Sequence, residues 1–437
     1  MECLKSKMMN KKILAFLIIL HIILVVTFML IFDYQQTSDA PRYIGVANEF
    51  ASLNFKFSPN LNCNTAPGYP LFLALIKIFT GHNMYIIAII QSLLFIFSIN
   101  YFIQQLKKRF KIPNNILLIF FMLMLISPEF INVNGATLTE SFAATLMILT
   151  CGSLIDSLKN KYDKSILIIS FTFLVLTKME YILILFAIIP YLFLIKKRKP
   201  VILLLITLSS ALFLNGLKNK QTFGVFNPTS FGSGTVIYGG NNSNLDGSWH
   251  KHLENSNYVP KKNELIFDSL NLLNPACSCI KRDSLYKEMA IEAWEINPYG
   301  QLKVIPTKFG KQWLLPASFD FYTAQTEYYK GLQLEKLFSD ELWPWYGKYK
   351  HSIFLSIYWL YLLLSLFGIF QKLKTKGIEK IDLLFFCILL INAAMYSIPF
   401  YGLGRFHVPT IALLFYYIIY TIDYLSNKCQ LPTTHYK

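Results

Sequence analysis

The stretch Ile13 to Phe32, ILAFLIILHIILVVTFMLIF, decides the class of this chain, because a bilayer-spanning helix needs about 20 predominantly apolar residues and this run supplies them without a break. Soon after it comes Asp39-Ala40-Pro41-Arg42-Tyr43, an acid, an arginine and a tyrosine close together. A span followed by such a group predicts a reaction centre at the edge of a membrane. Lysines precede the run, as they precede a signal peptide. The run is too long for one and lacks a small-residue cleavage site, so it is read as a retained anchor.

Composition extends the reading to the whole chain. Its 437 residues are 54% hydrophobic and 15% charged, with mean hydropathy +0.42, which is more apolar surface than one soluble core needs. The expectation is an all-α polytopic membrane protein whose first partner is the lipid bilayer. The net charge of +16 does not call for nucleic acid, because the lysines sit in short blocks between apolar runs and not on one soluble face.

Ten spans are expected, near 13–32, 84–104, 114–130, 139–158, 165–178, 180–195, 200–217, 351–370, 381–398 and 406–425. Lysine and arginine mark cytoplasmic loops. They gather at Met1 to Lys12, Lys107-Lys108-Arg109-Phe110-Lys111, Lys159 to Lys164, Lys196-Lys197-Arg198-Lys199, Gln371 to Lys380 and the tail from Ser426. These blocks fall at every second loop. The expectation is a multi-pass plasma (inner) membrane protein with both termini cytoplasmic.

Residues 1–217 then form an N-terminal transmembrane module with a first outer loop at 33–83. Residues 218–350 form an extracytoplasmic cap region, and 351–437 the last helices and a cytoplasmic tail. Short outer turns fall around 131–138, 178–180 and 399–405. Within the first loop, Gly68 to Gly81 is apolar but too short to cross, so it is expected in the membrane interface. No internal repeat is visible, which weakens a transporter built of duplicated halves.

Seven cysteines do not make a disulfide framework. One bridge from Cys63 to Cys277 or Cys279 is compatible with the topology. A zinc site from Cys277, Cys279, His250 and His252 is the weaker reading, since neither spacing is a usual zinc one.

From Asp39 to Leu53 the apolar positions Ile44, Ala47, Phe50 and Ala51 recur at helical spacing, which predicts a helix along the membrane surface. Asp39, Arg42 and Tyr43 then share a face, one turn apart. Asp39 ahead of Pro41 also has the form of a helix N-cap, and capping and catalysis are evenly supported on this segment alone. Glu140 closes Thr137-Leu138-Thr139-Glu140, a pattern that spacing alone reads as a capping box. Lys178 and Glu180 fit an outer hairpin where snorkelling explains them equally well, and Arg405 at a span end has the position of an anchor. These residues come from four separated segments, yet the topology sets all of them at one membrane level. A shared site explains that better than separate local roles.

The sequence has no Asp-x-Asp pair, Walker loop, His-Glu-x-x-His or Gly-x-Ser-x-Gly. An enzyme working outside the cell, away from cytoplasmic nucleotide donors, needs a donor delivered by the bilayer.

Several stretches occur in an order that is more specific than any one of them. They are Ser38-Asp39-Ala40-Pro41-Arg42-Tyr43 with Ala47; Ala66-Pro67-Gly68-Tyr69-Pro70-Leu71-Phe72-Leu73-Ala74-Leu75 with Gly81; Leu138-Thr139-Glu140; and Thr177-Lys178-Met179-Glu180. Later come Leu217-Lys218-Asn219, Phe223-Gly224-Val225-Phe226-Asn227-Pro228, Tyr238-Gly239-Gly240-Asn241-Asn242, Glu288-Met289-Ala290, Asn297-Pro298 on to Lys308, and Arg405-Phe406-His407-Val408-Pro409. In this order they resemble the GT-C glycosyltransferases that use polyprenyl-phosphate sugars, the family-39-like group containing protein O-mannosyltransferases and the lipid A aminoarabinose transferase. The resemblance covers most of the chain.

The resemblance implies a GT-C type transmembrane helix bundle with extracytoplasmic loops that include a mixed cap region. It implies a hexosyl- or pentosyltransferase of the cell envelope that inverts the sugar it moves. Asp39 would be the catalytic base, Arg42, Lys178 and Arg405 would bind the donor phosphate, and Tyr43, Glu140 and Glu180 would contact substrate. No cofactor is required and no metal residue is assigned, although a divalent ion is compatible with the chemistry. The acceptor is a glycan, a lipid or a protein. Two departures stand out. Ala40 replaces a second acid, and no lysine precedes Pro67, which argues against aminoarabinose transfer. A polysaccharide polymerase or ligase, or a lipid-linked glycan transporter, is the alternative.

Overall fold

In a computed structural model, residues 11–32, 39–53, 56–81, 83–156, 158–242, 274–317 and 344–429 are described. All the regular elements among them are helical. In chain order they begin with α1 (Lys11–Phe32), α2 (Ala40–Ala51), α3 (Pro59–Asn62), α4 (Gly68–Thr80), α5 (Met84–Phe110) and α6 (Asn114–Ile126). Next are α7 (Pro128–Gly135), α8 (Thr139–Ile155), α9 (Lys161–Thr177), a 3-10 turn Met179–Ile184 and α10 (Leu185–Leu194). Then follow α11 (Arg198–Phe223), α12 (Ser233–Gly240), α13 (Pro275–Ile296), α14 (Pro298–Trp313) and α15 (Pro344–Thr375). The last are α16 (Lys380–Ser397), a 3-10 turn Gly404–His407, α17 (Val408–Phe415) and α18 (Ile418–Cys429).

Each of the ten apolar runs is helical, but not all are long enough to cross a bilayer. Six segments are: α1, α5, α11, α15, α16 and the run Gly404–Ser426. The protein is thus a membrane-embedded helical bundle. A seventh is added if α6 and α7 count as one span bent by 48°. The bend follows Ser127, where Pro128 lacks the amide proton that would continue α6. Residues 131–135, expected in an outer turn, are helical and buried instead. α8 is 17 residues, about 25 Å at 1.5 Å per residue, short of a hydrocarbon core of about 30 Å. Its deficit has a packing reason: almost its whole surface is buried, among α5, α9 and α17, so it is the axis of the bundle and not a lipid-facing span. α1 shows the opposite pattern. Only Leu17, His21, Val25 and Met29, a stripe at i+4 spacing, face inward, while Phe16, Ile19, Ile23 and Leu30 stay exposed.

The bundle has two chemically different ends. At one, Arg109, Lys196 and Lys380 line a common cavity with Glu379, so three of the basic loop segments do converge. At the other lie Asp39, Glu140, Lys178 and Arg405. The described parts of 218–350 are helical, without strands, so the mixed character expected of the cap is not seen among the described residues. A disulfide joins Cys63 to Cys279 and ties the first loop to α13.

Candidate functional site

α2 forms where the helical spacing predicts it, with Pro41 in its first turn. Asp39 occupies the N-cap position, yet its carboxylate caps no backbone amide. Instead Oδ1 accepts a hydrogen bond from Arg42 Nη2 at 3.1 Å, and Oδ2 accepts one from Arg405 Nη2 at 3.4 Å. The capping-box reading of Glu140 also fails. Leu138 holds the N-cap of α8 without a side-chain cap bond, and Glu140 Oε1 meets Lys178 Nζ at 3.2 Å and Arg405 Nε at 3.7 Å. The result is one continuous chain of opposite charges, Arg42–Asp39–Arg405–Glu140–Lys178.

Four elements deliver these five side chains: the start of α2, the first turn of α8, the break between α9 and α10, and the 3-10 turn before α17. Gly68 makes one of the junctions close. A Cβ there would lie 2.6 Å from the backbone nitrogen of Thr177, so glycine lets the start of α4 reach the end of α9, beside Lys178.

The cluster is graded in exposure. The side chains of Arg42, Asp39 and Arg405 are 28%, 26% and 18% exposed, whereas those of Lys178 and Glu140 are 8% and 4%. The cluster is therefore open at Asp39 and Arg42 and closed at Lys178 and Glu140. Three cations face two carboxylates, and the linked chain keeps one positive charge in surplus. Lys178 Nζ also lies 5.1 Å from the Phe406 ring centroid and 5.9 Å from that of Tyr396, a setting that favours the cation.

Tyr43 lies under Arg42, whose Cζ is 5.4 Å from its ring, and packs edge-on to Tyr69. Burial, reinforced by the Asp39 charge, pushes its phenol well above the usual value and keeps it protonated at neutral pH. Glu180 stands one step outside the chain of charges. Its Oε1 accepts from Tyr396 Oη at 2.8 Å, and the ring of that tyrosine lies 5.9 Å from Lys178 Nζ.

Against known proteins, the chain matches no family model, no curated protein and no solved structure.

Two polar groups were not assigned a role from sequence. His407 is fully buried, with Nε2 2.9 Å from Glu129 Oε2 and Nδ1 facing the Gln312 carbonyl at 2.5 Å. Glu129 also accepts the Ala317 amide at 3.0 Å, and the rings of Trp313 and Tyr358 stack on either side of the imidazole. This knot fastens the end of α14 to the membrane core two residues from Arg405. An acid directly after Ser127-Pro128 at the end of an apolar run was the available signal. The second group is Lys308, whose buried ammonium donates to Asn241 Oδ1 at 3.0 Å and to the Ile398 carbonyl at 3.2 Å.

No set of three His, Cys, Asp or Glu side chains able to hold a metal occurs among the described residues. The zinc reading loses Cys279, which is bonded to Cys63, while Cys277 is free and exposed. His250 and His252 lie outside the described residues.

Proposed function

We propose that this chain is an integral membrane glycosyltransferase of GT-C type. It moves a hexose or pentose from a polyprenyl-phosphate donor to an acceptor hydroxyl on the extracytoplasmic side, with inversion. The observation that carries the reading is the connected charge chain from Arg42 to Lys178, assembled from four separate elements at one end of the bundle. The order of the sequence motifs supports it independently. The positive-inside rule puts the basic end in the cytoplasm. A disulfide forms in oxidising compartments, which supports an outer location for Cys63 and Cys279.

In the mechanism we infer, the acceptor oxygen attacks the anomeric carbon while its proton passes to Asp39. The bond from that carbon to the phosphate oxygen breaks, and the phosphate leaves with the electron pair. Arg42, Arg405 and Lys178 stabilise the negative charge that gathers there. Without donor, Asp39 is counter-ion to two of those cations. Donor phosphate takes its place on Arg42 and Arg405, and the carboxylate becomes available as a base. Glu140 fixes Lys178 and Arg405 from the closed side.

Mass spectrometry of glycolipids, surface glycans and glycoproteins tests the reading in cells lacking the chain, complemented with the intact protein or with Asp39→Asn. One sugar should vanish, its polyprenyl-phosphate donor should accumulate, and only the intact protein should restore both. Full restoration by Asp39→Asn removes Asp39 as the base.

A further inference from the structure

A second cavity lies away from the charge chain, where the two outer loops meet. It measures about 340 Å³, the lower end of the usual small-molecule range, which suits a compact ligand better than a protein surface. Its polar lining comes from Asn60, Asn64, Thr235, Ser278, Arg282 and Asp283, and the Cys63–Cys279 disulfide and Phe231 complete the wall.

The geometry of this cavity is built in. The Phe231 amide donates to the Cys63 carbonyl at 3.0 Å, the Gly234 amide to Asp283 Oδ1 at 2.6 Å, and Lys287 Nζ sits 2.6 Å from Asp283 Oδ2. A Cβ on Gly232 would lie 2.4 Å from Asn64 Oδ1, so glycine there leaves the Asn64 amide its place. The bridge, the backbone bond at Phe231 and the Asp283 bonds hold three segments together around the cavity.

We propose that this cavity binds a saccharide, and that the sugar is part of a glycan acceptor. Carboxamides and hydroxyls offer paired donors and acceptors that match the hydroxyls of a sugar ring. Arg282 and Asp283 add a charged donor and a charged acceptor of the kind that hold sugar hydroxyls. The mostly polar wall disfavours a lipid tail. A peptide fits less well, because no strand edge is present among the described residues to pair with it.

The cavity is mechanically coupled to the charge chain. Asn62, next to Cys63, donates to Glu49 Oε2 at 2.7 Å and accepts from Lys218 Nζ at 3.1 Å. Glu49 lies near the far end of α2, the helix that begins beside Asp39. The step of ten residues from Asp39 to Glu49 rises about 15 Å, so a saccharide held here presents to Asp39 a unit several residues along its chain. The acceptor role rests on the transferase reading. The binding itself does not.

The test uses the full chain in lipid nanodiscs and saturation-transfer NMR with free maltotriose, mannotriose and chitotriose. A serine- and threonine-rich peptide is the competitor, and farnesyl phosphate is titrated separately. The rim residue Asn60 is exposed, so Asn60→Trp blocks the mouth without disturbing a core, and Thr235→Phe fills the cavity. At least one trisaccharide should bind, both variants should weaken it tenfold or more, and farnesyl phosphate affinity should not change. The proposal fails if no trisaccharide binds, if neither variant weakens binding, or if the peptide displaces the sugar from the same site. Saccharide binding that both variants abolish, in a protein indifferent to farnesyl phosphate, leaves the cavity assigned and sinks the transferase reading alone.

Discussion

Arg405 and Asp39, 366 residues apart in the chain, meet at 3.4 Å, and the same arginine turns its Nε towards Glu140. The segment between α1 and α2 and the last apolar segment are thus joined by one guanidinium. Arg42 takes the other oxygen of Asp39, so the proposed base is fully engaged by the cations proposed to hold phosphate. An anionic ligand and Asp39 compete for the same donors, and that competition has a sign that can be measured.

Asp39→Asn removes the competing charge and leaves the arginines in place. Binding of farnesyl phosphate should tighten about fivefold, corresponding to about 1 kcal/mol for a partly exposed ion pair. Transfer should fall by roughly 10² to 10⁴, the usual contribution of a general base. Calorimetry on the variant decides it: an affinity that is unchanged or weaker means that Asp39 does not compete with phosphate.

Lys178 and Glu140 are the buried partners; removing Glu140 takes the carboxylate from Lys178, and removing Lys178 leaves Glu140 with the more distant Arg405. Glu140→Gln and Lys178→Met should each cost about 3–5 kcal/mol, while the double variant should lose less than the sum. Thermal unfolding in nanodiscs gives the cycle. Additive losses would show that the two side chains do not support one another.

The sequence carried much of this arrangement. Apolar length located the helices, the period of Asp39 to Leu53 located α2, and topology set Asp39, Arg42, Glu140, Lys178 and Arg405 at one level. It left capping and catalysis even at Asp39 and favoured the cap at Glu140, because both roles need an acid at a helix start. The structure removes the cap at both, because the carboxylates turn to Arg42, Lys178 and the distant Arg405 instead of to backbone amides. Hydropathy marked ten runs where six helices, or seven with the bent pair, are long and apolar enough to cross among the described residues, since a short, buried axis helix such as α8 is still largely apolar. His407 and Lys308 stayed hidden for a related reason: their partners include the carbonyls of Gln312 and Ile398, and backbone acceptors leave no signature in sequence.

Cys277 tests the sidedness. It is exposed and free, two residues from the disulfide-bonded Cys279. A membrane-impermeant maleimide applied to intact cells should label it, and Cys277→Ser should remove that signal. Labelling that appears only after the membrane is permeabilised would place this loop in the cytoplasm and overturn the outer site.

Lys308 supplies a pH dependence. Its ammonium is buried against two neutral acceptors and has no carboxylate partner within ion-pair distance among the described residues, so desolvation lowers its pKa from the ordinary 10.5 to about 8. Below about pH 8 the lysine is charged in both folded and unfolded chains, and the penalty of burying the charge is complete. Between about 8 and 10.5 the folded protein binds fewer protons than the unfolded one, so this residue makes stability rise with pH across that window. The melting temperature of the intact protein should therefore climb relative to that of Lys308→Met as pH is raised from 7 to 10. The absolute stability of the variant is a poorer guide, because methionine also leaves the Ile398 carbonyl without its donor. Parallel pH profiles for the two proteins would mean that Lys308 keeps an ordinary ammonium in the fold.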